Sequence, residues 1–399
     1  MNAVLRPAAT GGLIECVIPT TESQREIWLG ATMSTDASLA YNESVLLRLR
    51  GPLDTAAMAR AVARLVERHQ ALRATISPDG SCMLVGRPGE GLLEQQDLSG
   101  LLPEAREQAP KAVHDDAVCT PFALEHGPLF RAVPCRLGET EHELVMSAHH
   151  VVCDGWSWMV ITEQLGHLYA EQTGNGQPLK AAPTYADFAA QEAAEAAHPD
   201  MQPHVDYWLE RFAGGTLPVL ELPVDHPRPA TRTFHSLRTE RLLDRGLVSA
   251  LRSVSAKTGA SLFAGLFSGF VATLHRITGQ DDIVVGIPAS GQVARDMPGL
   301  VGHCVNLLPL RIAAHGQLRF DALMSECSTA VLDAFEHQAL TYGALLGKLS
   351  LQRDPSRLPL VSVAFNVDPD VASSAQTFPG LEVAQDTIAR QYENFELFL

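Results

Sequence analysis

Strand-type and helix-type patterns alternate along both halves of this chain, and the alternation limits its fold more than any other feature. SVLLRLR at 44–50 predicts a strand, and Asp54 then predicts the N-cap of a helix over DTAAMARAVARLVERH. Two hairpins are expected, around Pro78-Asp79-Gly80 and around Gly138-Glu139-Thr140. A further helix is expected to begin after Asp154-Gly155.

The second half repeats this alternation, which predicts an α/β or α+β fold. Helices are expected at 244–258, 260–277 and 320–338, and strands in RTERLL (238–243), DIVVGIP (282–288), VNLLPLRI (305–312) and LVSVAFNVD (360–368). A chain of 399 residues is too long for one core of ordinary size, so two similar lobes of roughly 200 residues are the expectation. The segment TGNGQP divides them, giving an N-terminal tail or linker at 1–17, one lobe at 18–177 and a second at 178–399.

Composition excludes several classes of protein. Thirty basic and 46 acidic residues give a net charge of −16, and no basic stripe is present, so neither nucleic acid nor an anionic membrane is an expected partner. The seven cysteines are odd in number and form no CxxC pair, which favours a reducing, cytoplasmic compartment. No N-terminal signal pattern and no apolar run of about 18 residues is found, so no membrane span is predicted.

The strongest chemical signal is HHVVCDGWS at 149–157, where a buried strand is predicted to end and a helix to begin. Adjacent strand residues point to opposite faces, so His149 and His150 are expected to do different jobs. A histidine with an ordinary pKa of about 6.5 suits proton transfer at neutral pH. Asp154 could brace the loop through an arginine, and Gly155 permits close backbone approach.

The residues of this segment also allow other interpretations. A histidine at a strand end is most often a structural hydrogen-bonder. A metal site is disfavoured because opposed His149 and His150 could hardly share one ion, and no further ligand stands at a suitable spacing. Cys153 has no activating positive charge beside it, so it is expected to serve as a packed side chain and not as a nucleophile.

The string at 149–157 resembles the HHxxxDG motif of nonribosomal peptide synthetase condensation domains, which belong to the chloramphenicol acetyltransferase-like superfamily. Further segments match in family order. Four segments match closely: 68–75 resemble RHExLRT, 185–189 resemble YxDYA, 301–306 resemble IGxFVN and 353–360 resemble RDxSRNPL. Two further segments match with departures. Residues 21–28 resemble SxAQxRLW with Glu26 in place of its arginine, and 337–342 carry the HQ motif with Thr341-Tyr342 in place of Pro-Phe. Together these motifs span almost the whole chain.

The resemblance implies a fold and an activity. The fold would be a V-shaped pseudodimer of two acetyltransferase-like lobes with a central tunnel. The enzyme would be an acyltransferase that joins an upstream carrier-bound acyl thioester to a downstream carrier-bound aminoacyl thioester through an amide bond. Its partners would be the two carrier proteins and adjacent synthetase domains. No permanent cofactor is implied, since the carriers present phosphopantetheine.

The resemblance also assigns roles to residues. His150, matched to the second family histidine, would take the proton of the amine or position the amine, and both roles stay open. An oxyanion would be bound by the Gly155 amide, with Ser157 and Asn306 as further donors. Asp154 would be structural and paired with Arg68 or Arg73.

Alternatives remain within and outside this family. Heterocyclisation domains replace the two histidines, and epimerisation domains carry an EGHGR-like segment that is absent here. A free-standing acyltransferase forming an ester or amide, or a silent carrier-docking module, would also fit. Tyr41-Asn42-Glu43-Ser44, His303-Cys304 and HQxxTY resemble condensation domains that follow polyketide modules. Family members usually continue beyond the RDxSR segment further than this chain, so the second lobe is expected to lack elements.

Overall fold

A computed structural model of the chain describes residues 14–88, 95–213, 217–351, 354–368 and 378–399. Residues 1–13 of the expected tail, and Arg353 of the last motif, lie outside the described residues. The strands are β1 (Ile14–Pro19), β2 (Asn42–Arg50), β3 (Ala74–Ile76), β4 (Cys82–Gly86), β5 (Gln96–Asp97), β6 (Phe130–Arg136), β7 (Glu141–His149), β8 (Asp282–Ser290), β9 (Val305–Ala313), β10 (Val363–Ala364), β11 (Glu382–Thr387) and β12 (Leu397–Phe398).

Helices separate most of these strands, and the predicted mixed α/β class is confirmed. They are α1 (Glu22–Ala31), α2 (Thr35–Leu39), α3 (Thr55–Arg68), α4 (Pro103–Cys119), α5 (Gly155–Gln172), α6 (Tyr185–Ala196), α7 (Met201–Arg211), α8 (Arg245–Lys257), α9 (Leu262–Thr278), α10 (Gly291–Ala294), α11 (Phe320–Glu336) and α12 (Tyr342–Lys348). The expected cap of α3 forms, since the Asp54 carboxylate accepts the Ala57 N–H over 2.9 Å.

The first half builds a five-stranded sheet in the order β11-β2-β7-β6-β5. Strands β2 and β7 run antiparallel over nine residue pairs, from Asn42↔His149 to Arg50↔Glu141. Alternate side chains of β2 face opposite ways, as the pleat requires. Val45, Leu47 and Leu49 lie in the core formed with α3 and α5, and Leu46 packs with Ala117 of α4 on the other face. Strand β7 of this sheet ends at His149, and α5 begins six residues later at Gly155.

The second half builds a four-stranded sheet in the order β12-β10-β8-β9. Strands β8 and β9 pair antiparallel, and Ile283, Val285 and Ile287 of β8 are buried with Phe267 of α9 and Cys327 of α11. A third sheet, β1-β4-β3, shares a core with α6 and with Leu300 and Cys304 of the second half. The two halves therefore meet through a common apolar cluster.

Two local expectations were wrong. RTERLL forms no strand in the structure: no described strand pairs with it, and Leu242 is fully exposed at 102%. The expected tail at 1–17 overlaps β1, which pairs antiparallel with β4. In addition, β11 lies late in the chain but pairs with β2, so the sheet of the first half includes a strand from the segment 178–399.

Among the described residues, no single helix is long and apolar enough to cross a membrane. Helices α8 and α9 reach that length and apolarity only when taken together, and the chain bends by 102° between them.

Candidate functional site

The HHxxxDG segment occupies the junction between β7 and α5, as the sequence indicates. The intervening turn is fixed from outside, because the buried Gln24 of α1 donates its side-chain N–H to the Val151 carbonyl over 2.8 Å. Asp154 caps α5 and accepts the Ser157 N–H over 2.8 Å. The junction therefore holds the two histidines and the first turn of α5 in one rigid unit.

The two histidines occupy different environments, as the strand pattern predicts. His149 is completely buried beside Tyr41 and Phe122, and its Nδ1 accepts the Val151 N–H over 3.2 Å. Burial lowers the pKa of His149 to about 3, with the charge of His150 adding to the effect. A ring that stays neutral and enclosed in this way supports the fold around the site.

His150 is the more accessible ring, with 23% of its side chain exposed. Its Nδ1 lies 2.8 Å from the Cys153 carbonyl oxygen, which makes Nδ1 the protonated nitrogen of the neutral ring. Among the described residues, Nε2 of His150 has no hydrogen-bond partner. That nitrogen is available to a reacting group.

Asp154 does not pair with an arginine, so this part of the sequence prediction was wrong. Its buried carboxylate accepts hydrogen bonds from the Ser157 N–H and hydroxyl, from the Gln292 side chain and from the Cys304 N–H. Burial raises the pKa of this carboxyl, while these donors oppose the rise. The donors from Gln292 and Cys304 belong to the second half, which sequence spacing could not reveal.

The two arginines proposed as partners of Asp154 are engaged elsewhere. Arg68 donates to the side chain of Gln164 over 2.6 Å and also to the Lys180 carbonyl. Arg73 forms an ion pair with Glu15 over 2.6 Å. Arg73 therefore stabilises the first half, and Arg68 links it to the start of the segment 178–399.

Of the three residues expected to supply oxyanion donors, Gly155 is the exposed one. Gly155 is exposed at the first position of α5, and a Cβ there would meet no atom within 4 Å. The Ser157 hydroxyl is buried between Asp154 and the Gly302 carbonyl. Asn306 donates to the carbonyls of Gln338 and Leu340, each over 2.9 Å. Ser157 and Asn306 thus hold the structure together.

Two residues at the site were not identified as functional from the sequence. Glu43 of β2 lies with its Oε1 3.3 Å from Nδ1 of His150, and it also contacts Trp158 and Arg390. His303 of the second half lies edge-on to His150, with ring centroids 4.7 Å apart. In the sequence, Glu43 and His303 stand in the YNES and HC runs, whose resemblance indicates a subtype and assigns no role to either residue.

Neither a thiol nucleophile nor a metal centre is found at the junction. Burial raises the pKa of the Cys153 thiol well above its ordinary value, which disfavours a reactive thiolate. Within the part of the chain that the structure describes, no group of three or more His, Cys, Asp or Glu side chains could hold a metal ion.

Comparison with known proteins agrees with this geometry. Residues 14–399 match the family model described as "Condensation domain". The chain is 33% identical over 369 residues to chondramide synthase cmdD of Chondromyces crocatus, covering 92% of this chain and 9% of that protein. The chain therefore spans a small part of this large relative.

Solved structures show the same fold. The first condensation domain of the calcium-dependent antibiotic synthetase, in complex with a substrate analogue, aligns with a TM-score of 0.77 at 24% identity, covering 95% of this chain and 86% of that one. The condensation domain of the Monacolin K polyketide synthase MokA aligns with a TM-score of 0.83 at 20% identity, covering 97% and 89%. The family match, the shared fold and the motif at the β7–α5 junction together place this chain in the condensation-domain family.

Proposed function

We propose that this chain catalyses amide bond formation between an upstream carrier-bound acyl thioester and a downstream carrier-bound aminoacyl thioester. The observation that carries the proposal is the position of His150, whose Nε2 is unpartnered among the described residues beside the exposed start of α5. The family to which the chain belongs supports an acyl-transfer reaction of this kind.

The reaction needs little covalent help from the protein. A thioester is already activated, so placing two tethered reactants at reacting distance supplies much of the acceleration. His150 accepts a proton from, or holds, the attacking amine through Nε2. The N–H of Gly155 stabilises the developing oxyanion, a role supported by its position at the positive end of α5.

The remaining features of the proposed reaction follow from the carriers. The two phosphopantetheine arms enter from opposite faces of a tunnel between the lobes, because two carrier domains cannot share one entrance.

The protein itself holds no permanent cofactor, and it works in the cytoplasm beside other synthetase domains. Residues 18–177 and 178–399 form the two lobes, apart from the exchanged strand β11.

The donor is proposed to be a polyketide or other acyl chain. Glu43 and His303, which belong to the runs that resemble domains following polyketide modules, both lie against His150. A competition between carrier-bound acyl donors of different chain length would measure which donor the chain transfers fastest.

The test is carrier-to-carrier transfer followed by intact-protein mass spectrometry. An upstream carrier loaded with an acyl chain and a downstream carrier loaded with an amino acid are mixed with the chain. The expected result is loss of the acyl mass from the first carrier and its appearance on the second. Parallel reactions replace the donor with an acyl-coenzyme A, or the acceptor with a hydroxyacyl carrier. Faster turnover in either of these would favour a free-standing acyltransferase, and no transfer in any of them would favour a docking module.

A further inference from the structure

Glu43 is a carboxylate on β2, in a position where the sheet is otherwise apolar. It pairs in register with Ala148, one residue before the end of β7, and only 8% of it is exposed. This register brings the Glu43 side chain to the turn that carries His150. A buried carboxylate requires compensating partners, and each of its two oxygens has them.

The partners of Glu43 come from three separate segments. Oε1 lies 2.7 Å from Nη2 of Arg390 and 3.3 Å from Nδ1 of His150. Oε2 accepts the indole N–H of Trp158 over 3.0 Å. Burial alone would raise the pKa of Glu43, but His150, Arg390 and Trp158 outweigh burial and lower it to about 2. The group is thus a fixed anion whose oxygens are engaged within the protein.

This anion acts on one nitrogen of His150. Nδ1 donates its hydrogen to the Cys153 carbonyl over 2.8 Å, with the Glu43 carboxylate on the same side of the ring. Burial alone would lower the pKa of His150, but Glu43 outweighs burial and raises it. The other charged or titratable groups around the ring are His149 on β7, Asp154 at the start of α5, His303 before β9 and Arg390 after β11. Arg390 lowers the His150 pKa and so opposes Glu43, whereas Asp154 raises this pKa as Glu43 does.

We propose that Glu43 is a positioning residue for the reaction: it orients the His150 ring and strengthens Nε2 as a proton acceptor. This inference rests on the proposed function. As the amine nitrogen bonds to the thioester carbonyl carbon, its proton passes to Nε2 of His150. When the C–S bond breaks, the proton passes to the departing thiolate of the upstream arm. The role corresponds to that of the carboxylate behind the histidine in a catalytic triad.

The test compares Glu43→Gln with Glu143→Gln in the full chain. Glu143 is a matched control, because it is a buried carboxylate, 7% exposed, on the neighbouring strand β7, and it pairs with His114 and Arg48. The first readout is NMR titration of histidine labelled with ¹³C and ¹⁵N, with the His150 signal assigned by its loss in His150→Asn. We expect Glu43→Gln to lower the His150 pKa and Glu143→Gln to leave it where it is in the parent.

The second readout is the pH dependence of carrier-to-carrier transfer. Because the imidazole must be neutral to accept a proton, a lower His150 pKa moves the acid limb of kcat to lower pH. We expect that shift in Glu43→Gln, with kcat reduced about tenfold or more and KM changed much less. Arg390→Gln provides the opposite perturbation, and it should raise the His150 pKa, since Arg390 opposes Glu43.

An unchanged His150 titration in Glu43→Gln would overturn the inference, and so would an equal shift in Glu143→Gln. If Glu43→Gln does not fold, the direction of the shift in Arg390→Gln decides, and a fall there would contradict the role. The NMR titration does not depend on turnover, so the two proposals can fail separately. Absence of amide formation by the parent chain would defeat the proposed function. If the parent is active but Glu43→Gln has the same acid limb of kcat as the parent, only this inference is defeated.

Discussion

The backbone N–H of Cys304 donates to Oδ2 of Asp154 over 2.9 Å, and this hydrogen bond ties the second half of the chain to the motif turn of the first. The side chain of Gln292 bonds both oxygens of the same carboxylate, over 3.1 and 2.9 Å. Asp154 therefore joins the two halves at the site, and it affects the reaction by holding His150 in position.

Replacing Asp154 with alanine is expected to destabilise the protein strongly. Donors from Ser157, Gln292 and Cys304 would lose their acceptor in a dry environment, at a cost of about 3 kcal/mol or more. Urea denaturation measures the change. His150→Ala is the comparison variant and should cost less than Asp154→Ala, because Glu43 keeps Arg390 and Trp158 as partners when His150 is removed. Equal midpoints for Asp154→Ala and the parent would contradict a structural role for the carboxylate.

Replacing Asn306 with alanine is expected to reduce stability more than catalysis. Its side chain bonds the Gln338 and Leu340 carbonyls and accepts the Tyr342 N–H over 2.9 Å, so three hydrogen bonds are lost. The expected cost is about 2–3 kcal/mol in denaturation. Turnover per folded molecule should fall less than about tenfold, because an oxyanion donor is typically worth more. A large loss of turnover at unchanged stability would instead make Asn306 an oxyanion donor.

Glu26 should make stability depend on pH. It lies in α1 against Gly343 of α12, and its carboxyl group fills the space that a Cβ at Gly343 would need. Burial raises the pKa of Glu26 from 4.5 to about 7, reinforced by Glu22 and Glu192 and opposed by the backbone of Gly343. The folded state therefore binds this proton more tightly than the unfolded chain. The penalty for the buried charge is full above pH about 7 and is relieved as the pH falls from about 7 towards 4.5.

Glu26→Gln replaces the titrating carboxyl group with a neutral amide and so tests this pH dependence. It is expected to stabilise the protein at pH 8 by about 2–3 kcal/mol and by much less at pH 5. Denaturation at both pH values, with Glu67→Gln at an exposed ion pair as the control, measures the effect. A gain of the same size at both pH values would show that the carboxylate is not titrating in this interval.

Local features of the fold could be predicted from the sequence because their causes are local. The Asp54 cap forms as expected, and so does the hairpin at Pro78-Asp79-Gly80, where Gly80 adopts a φ of +70° that suits glycine. The different environments of His149 and His150 were expected from strand alternation, although β7 ends at His149 and His150 lies in the turn that follows. Each of these features depends on neighbours within a few residues.

Features that depend on distant pairing could not be predicted. The acceptor role of Asp154 towards Gln292 and Cys304 requires knowing how the two halves meet. The contact of Glu43 with His150 requires the register of β2 on β7, which the alternating pattern leaves undefined. RTERLL finds no partner strand in the described structure, so the strand predicted there from the local sequence does not form.

The most direct test of the account is a single-turnover transfer reaction with His150→Ala, using loaded carriers and intact-protein mass spectrometry. His149→Ala, at the enclosed ring, is examined beside it and normalised to folded protein. The account predicts that His150→Ala retains the parent fold by circular dichroism but forms amide about 100-fold or more slowly. Amide formation by His150→Ala at the parent rate would contradict the account, because the reaction would then proceed without the one ring that the junction leaves open to substrate.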